Sequence, residues 1–170
     1  MKVAVVAGNP KPNSRTLQAA ELVVEALTGS GPETVVDVVT LGSGLLGWGD
    51  AAVAAAVEAV AGSDLIVVAS PTFKATYSGL LKLFLDQFAT GEGLRDVVAV
   101  PLMLGAAPFH AMAPDLMLKP LLVELGAACP APGLYLLDSS YASDGRIADY
   151  VDRWGPVLRA AVSAKAGVQS

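Results

Sequence analysis

The sequence predicts an α/β fold: a parallel five-stranded sheet covered by helices on both faces. Three observations carry this. Short apolar, valine-rich runs alternate along the chain with longer segments of helical periodicity. The runs are apolar at nearly every position rather than at every second one, as strands buried on both faces are. Gly, Pro, Asn and Ser gather between the two kinds of segment, where the crossovers of a parallel sheet must turn.

Taken in order, residues 2–8 are the first apolar β-rich run. Residues 14–28 read as a helix with Leu17, Ala20, Leu22, Val24 and Leu27 on its apolar face. Residues 34–41, rich in Val, are the second strand. A glycine-rich loop covers 42–49, and Asp50 caps the Ala/Val helix that runs to residue 61. The third strand is 65–69. The next helix begins at Ser78 or Gly79 and reaches Phe88. Residues 97–104 are the fourth strand. Residues 108–125 are mainly helical, with Pro114 starting, kinking or interrupting the helix. Residues 134–137 belong to the fifth strand and 146–164 to the closing helix.

Composition narrows the function. At 170 residues the chain is most simply one domain, undivided by repeats or linkers. Hydrophobic residues make up 54%, yet no apolar run reaches the roughly 18 residues of a membrane span. Gly8-Asn9-Pro10 ends the first run too early for a secretory leader, so the chain is read as cytoplasmic and without a membrane partner. A net charge of −5 with no basic run argues against a nucleic-acid surface. Cys129 and His110 are each the only residue of their kind, which leaves no disulfide and no metal-ligand set. No Ser/His/Asp arrangement has spacing suited to hydrolysis.

Two loops carry the chemistry. In an open parallel sheet, ligands bind beyond the carboxyl ends of the strands where strand order switches. The first loop, residues 8–16, ends at a helix start. There the unpaired N–H groups, the helix dipole and the hydroxyls of Ser14 and Thr16 suit a phosphate, and Arg15 adds a forked contact. The second loop follows the third strand. Pro71 fixes the chain as it leaves the sheet. The backbone of Thr72, Phe73 and Lys74 suits the hydrogen-bonding edge of a flat polar ring, and Lys74 brings positive charge. Together they point to an FMN site. Neither G-x-G-x-x-G nor G-x-x-x-x-G-K-[ST] is present. Lys82 and Asp86 form an i,i+4 pair on a helix whose other residues are strongly apolar (Leu80, Leu81, Leu83, Phe84, Leu85, Phe88), more than one core requires. That predicts a subunit interface on helix 80–88.

Gly8-Asn9-Pro10-Lys11-Pro12-Asn13-Ser14-Arg15-Thr16 resembles the phosphate loop of the NADPH-dependent FMN reductases. The run from Ser70-Pro71-Thr72-Phe73-Lys74 to Lys82, with Asp86, is similar to their flavin loop and interface helix. Pro101-Leu102, Gly105, His110 and Leu118-Lys119-Pro120 are similar to the segment after their fourth strand. The resemblance covers about residues 1–128 and is greatest to the flavin reductases of two-component sulfonate monooxygenases. It implies a flavodoxin-like three-layer fold with strand order 2-1-3-4-5 and a homodimer or homotetramer. It also implies reduction of FMN by NADPH or NADH, with hydride passing to flavin N5 and reduced flavin supplied to a monooxygenase. By position, Ser14, Arg15 and Thr16 would hold the phosphate, Pro71, Thr72, Phe73 and Lys74 would line the ring, and Gly105 would abut the ligand. An FMN-retaining reductase of quinones, azo dyes or metal oxyanions, or a flavodoxin-like electron carrier, also fits. Two departures stand out. Members usually have a Thr-Gly-Gly type sequence after the fourth strand, where this chain has Leu104-Gly105-Ala106-Ala107, whose methyls crowd the approach to a flavin. Some members carry an aromatic or His residue before Leu-Lys-Pro, associated with a helical bulge at the oligomer interface. Here Leu116 or Met117 takes that place.

Overall fold

In a computed structural model, residues 1–166 are described. Five strands, β1 (Val3–Ala7), β2 (Thr34–Asp37), β3 (Leu65–Pro71), β4 (Val98–Gly105) and β5 (Leu134–Leu137), form one sheet in the order 2-1-3-4-5. All pairings are parallel, and the register aligns Val5 with Val67 and Val67 with Val100. This is the flavodoxin-like order, with the switch point between β1 and β3. The helices are α1 (Arg15–Thr28), α2 (Ala51–Ala61), α3 (Gly79–Leu85), α4 (Lys119–Glu124) and α5 (Arg146–Ala166).

The near-continuous apolarity of the strands follows from burial on both sides. Successive side chains alternate between two cores. Val3, Val5, Ala7, Val67 and Leu102 pack with Leu17, Ala20, Val23 and Val24 of α1 and Leu158 of α5. Ala4, Val6, Ile66, Val68 and Met103 pack on the other face with Val53 of α2, Leu81 and Phe84 of α3 and Leu122 of α4. Each fully buried Val, Leu, Ile, Phe or Met among them contributes about 1.5–3 kcal/mol. The helix starts are capped as their residue types predict. Ser14, Asp50 and Ser78 each accept from backbone N–H groups of the first turn, and Gly29 ends α1 in the left-handed region at φ 77°.

Three expected elements differ. The second strand ends at Asp37 rather than residue 41. Residues Val38–Leu46 form 3₁₀ turns broken at Gly42 (φ 57°). Val38 and Leu45 are buried and Leu41 is partly so, a helical spacing that the run of β-branched residues conceals. The segment 108–125 is not one helix. It is a short 3₁₀ turn (Pro108–His110), a π turn (Pro114–Leu118) and then α4. Pro120 has no N–H and its ring would press on the carbonyl of Leu116, so the chain widens just before it. The helix expected to reach Phe88 stops at Leu85, and Phe88 turns back to meet Phe84 edge-on at 5.4 Å.

That helix also corrects a premise. Leu81, Phe84, Leu85 and Phe88 are all buried within the chain, so its apolarity is largely consumed by the core, and Leu83 is the large side chain left exposed. Lys82 and Asp86 do pair. Among the described residues no helix is long and apolar enough to cross a membrane.

A polar cluster pins the loop into β5. Asp115 Oδ1 accepts from the Gly133 N–H at 2.9 Å and lies 3.5 Å from Lys119 Nζ, which donates to the Ala131 carbonyl. Nearby, burial pushes the Cys129 thiol from 9.0 up to about 11, with Lys119 pulling against it. Burial likewise raises the Tyr150 phenol, whose hydroxyl donates to the Pro132 carbonyl. Both acids hold their protons more tightly when folded. Their stabilisation is therefore present below their unfolded values and is lost as pH rises from about 9. Urea midpoints should fall between pH 9 and 11, and Cys129→Ala should reduce that fall. A slope identical to wild type would show that the thiol does not contribute.

Candidate active site

The carboxyl ends of β1, β3 and β4 open onto a cleft of about 620 Å³. Ser14, Arg15, Thr16, Pro71, Thr72, Phe73 and Gly105 all line it. Lys74 does not. It occupies the tip of a two-residue hairpin and is exposed. His110 is exposed on its 3₁₀ turn, also outside the cleft.

The first wall is the start of α1. Ser14 Oγ takes the Leu17 N–H, which leaves the N–H groups of Arg15 and Thr16 without an intrahelical partner. Asn9 Nδ2 donates to Thr16 Oγ1 at 2.9 Å, so the Thr16 hydroxyl keeps its own hydrogen for a further acceptor. Asn9 Oδ1 accepts from the Lys11 N–H. Asn13 sits at φ 51°, and its N–H is held by Asp37 Oδ2 at 2.9 Å across the end of β2. This local left-handed residue turns the loop into Ser14. The arrangement is an anion cradle: two free N–H groups, two hydroxyls and the cations of Lys11 and Arg15.

The second wall is the loop after β3. Ser70 and Ser78 tie its two ends. Ser78 N–H donates to Ser70 Oγ at 2.9 Å, and Ser78 Oγ donates to the Gly8 carbonyl. Thr72 N–H donates to the Leu104 carbonyl at 2.6 Å, whereas Thr72 Oγ1 is buried without a partner beside the cleft. The Thr72 residue forms part of the cleft wall, with this oxygen beneath its surface. Phe73 is about half exposed on the rim. Phe73 and Thr76 exchange both backbone hydrogen bonds around Lys74 (φ 51°) and Ala75 (φ 69°). A turn with both central residues at positive φ ordinarily uses Asn and Gly. Ala75→Gly should therefore stabilise the protein by about 1 kcal/mol, read as a raised Tm. A lowered Tm would contradict this account of the turn.

The floor and far wall come from β4 and β5. Gly105, Ala106 and Asp138 lie there. Ala106, one of the two residues whose methyls were expected to crowd a flavin, does line the cleft, and Gly105 beside it is constrained from the other side. A Cβ at Gly105 would fall 1.9 Å from the Tyr135 hydroxyl, which donates to the Ala107 carbonyl at 2.7 Å. Gly105 is thus required by Tyr135 beneath it. Asn9, Lys11 and Asn13 of the first loop and Leu104 and Ala106 beside Gly105 also line the cleft, as do Gln18 and Asp138, which the sequence did not single out. For Asp138 a signal existed: it is the first polar residue after the apolar run of β5, at the end of the sheet where ligands bind.

Residues 1–142 match the family described as NADPH-dependent FMN reductase. The chain belongs to that family. The chain is 36% identical over 91 residues to the FMN reductase (NADPH) of Escherichia coli K12, a match spanning 54% of this chain and 44% of that protein. It therefore spans less than half the length of that relative. The NADH-dependent FMN reductase SfnF of Pseudomonas putida is 32% identical over 143 residues, spanning 79% of this chain and 76% of SfnF. A crystal structure of the apo form of the NADH:FMN oxidoreductase EmoB superposes with a TM-score of 0.75 at 27% identity, covering 96% of this chain and 87% of that one. The FMN reductase match takes in both loops of the cleft and ends just beyond Asp138.

Proposed function

We propose that this chain is a flavin reductase that uses NADPH or NADH to reduce FMN and supplies the reduced flavin to a monooxygenase. The observation that carries the reading is the cleft itself. One opening joins an anion cradle at α1 to a loop with a rim aromatic and an unpaired buried hydroxyl, at the sheet's switch point. The residues fit FMN. The N–H groups of Arg15 and Thr16, the Ser14 and Thr16 hydroxyls and the Arg15 guanidinium would hold the phosphate, with Lys11 adding charge. Pro71, Thr72 and Phe73 would face the ring, and Gly105 would lie against the ligand. Lys74, exposed at the hairpin tip, would act on the ring only through longer-range charge. Bound FMN supplies the electron-transfer chemistry, so no side chain need serve as acid or base.

The test is steady-state oxidation of NADPH and NADH with FMN, FAD and riboflavin in air. Turnover that depends on added FMN supports the reading. Absence of nicotinamide oxidation with every flavin would overturn it and favour an electron carrier.

We also propose a homo-oligomer formed through the exposed edge of the 80–88 segment. Leu83 borders a shallow hollow with Leu46 and Trp48, two further exposed apolar side chains. Leu83→Glu should lower the mass measured by light scattering while leaving the core intact. A wild-type monomer at micromolar concentration would refute this.

A further inference from the structure

The Arg15 guanidinium already has a partner inside the site. Nη1 donates to the Asp138 backbone carbonyl at 2.9 Å, and Nη2 lies 3.4 Å from Asp138 Oδ2. The backbone of Asp138 is anchored just past β5, where its N–H donates to the Gly105 carbonyl at 3.0 Å. The contact joins residues 123 apart in sequence and links the start of α1 to the β5 end of the sheet. Both side chains line the cleft. An anion arriving at α1 therefore meets a carboxylate as well as a guanidinium.

We propose that Asp138 tunes affinity for the ligand phosphate by competing for Arg15, and so keeps FMN exchangeable rather than permanently bound. This rests on the FMN reading of the cleft. The pair is 61% exposed at Arg15 and 34% at Asp138, so it is weak and can be exchanged. A phosphate monoester carries about −1.5 to −2 charges against the single charge of a carboxylate, so it takes the guanidinium. The exchange leaves Asp138 without its cation and beside a dianion, and that like-charge contact opposes binding. The net hold on phosphate is thus smaller than the helix start and Arg15 would give alone. A ligand without phosphate does not engage Arg15 in this way and is indifferent to Asp138. Release of flavin to a second protein requires such a moderated hold.

Asp138→Asn removes the charge and keeps the shape and the backbone carbonyl. FMN and riboflavin are titrated by fluorescence quenching against wild type, Asp138→Asn, Arg15→Ala and the double variant, and FMN release is followed by stopped flow. Asp138→Asn should bind FMN roughly 1.5- to fivefold more tightly, release it more slowly, and bind riboflavin as wild type does. In the Arg15→Ala background the gain should shrink, because the competitor has lost its target. Asp138→Ala, which also leaves the backbone contacts, should change FMN affinity in the same direction. A wild-type preference for FMN that Asp138→Asn leaves unchanged or reduces would overturn this inference alone; a reduction would mean that Asp138 positions Arg15 for the phosphate. Equal wild-type affinities for FMN and riboflavin would overturn the phosphate reading and this inference with it.

Discussion

Replacing Gly8 with Ala is expected to cost about 3 kcal/mol of stability or more, a drop in Tm of roughly 6–12 °C for a chain of this size. The added Cβ would lie 2.3 Å from Leu81 Cβ and 2.8 Å from Leu81 Cα. The second of these is backbone, so no rotamer change relieves it. Either β1 or α3 must move. Gly8 is also tied on both sides: its N–H donates to the Ala69 carbonyl at 2.9 Å, and its carbonyl accepts from Ser78 Oγ at the cap of α3. Pushing α3 away would therefore disturb the Ser70–Ser78 tie and the loop that forms one wall of the cleft. FMN affinity should fall along with Tm. Gly79→Ala is the control, since a Cβ there meets nothing within 4 Å and Ala favours a helix. It should be neutral or mildly stabilising. If Gly8→Ala melts within a degree or two of wild type, the close approach of β1 and α3 is not what fixes this glycine.

The architecture was legible because burial on both faces writes itself into sequence as short, wholly apolar runs. Residues 2–8, 65–69 and 97–104 are read that way, close to the observed Val3–Ala7, Leu65–Pro71 and Val98–Gly105, and their parallel pairing follows from the helices between them. Boundaries failed where local propensity and tertiary packing disagree. Val38 and Val39 extend a β-branched run, yet the chain curls into 3₁₀ turns so that Val38 and Leu45 are buried. The apolar surplus read into helix 80–88 shrinks to Leu83 for a related reason. Its apolar residues counted as surplus only because the sequence cannot show how deep α3 lies between the sheet and the 3₁₀ segment.

The site was legible in its local parts. A helix start with Ser14 and Thr16, and a loop leaving β3 through Pro71, are short-range features, and both line the cleft. What the sequence concealed is long-range closure. Asp37 holding Asn13 and Asp138 holding Arg15 depend on strand order and on the placement of the β5 end. Lys74 shows the converse. Its position in the motif says nothing of the turn at φ 51° that leaves it exposed at a hairpin tip, apart from the residues lining the cleft.

Gly105 supplies a prediction that separates packing from ligand contact. Gly105→Ala should destabilise the protein by about 1–3 kcal/mol from overpacking, with a further 0.5–1.5 kcal/mol, roughly, if the Tyr135–Ala107 hydrogen bond breaks. Nothing in the backbone of Gly105 demands glycine, since its φ is not positive. The obstacle is the Tyr135 hydroxyl, 1.9 Å from the added carbon, on a ring buried in the core and fixed by its bond to Ala107. If the ring holds, residues 105–107 must lift into the cleft, and FMN binding should weaken. Tyr135→Phe removes the offending atom and leaves Cζ at 2.9 Å as the nearest contact, which a shift of the ring by a few tenths of an ångström relieves. The double variant should therefore be more stable than the sum of the two single losses by about 0.5–3 kcal/mol and should recover much of the FMN affinity. Urea unfolding and flavin titration of the four proteins measure both quantities. Strictly additive losses would mean that the methyl at residue 105 is felt by something other than Tyr135. A Gly105→Ala protein of normal stability but poor flavin affinity would instead place the constraint in the ligand.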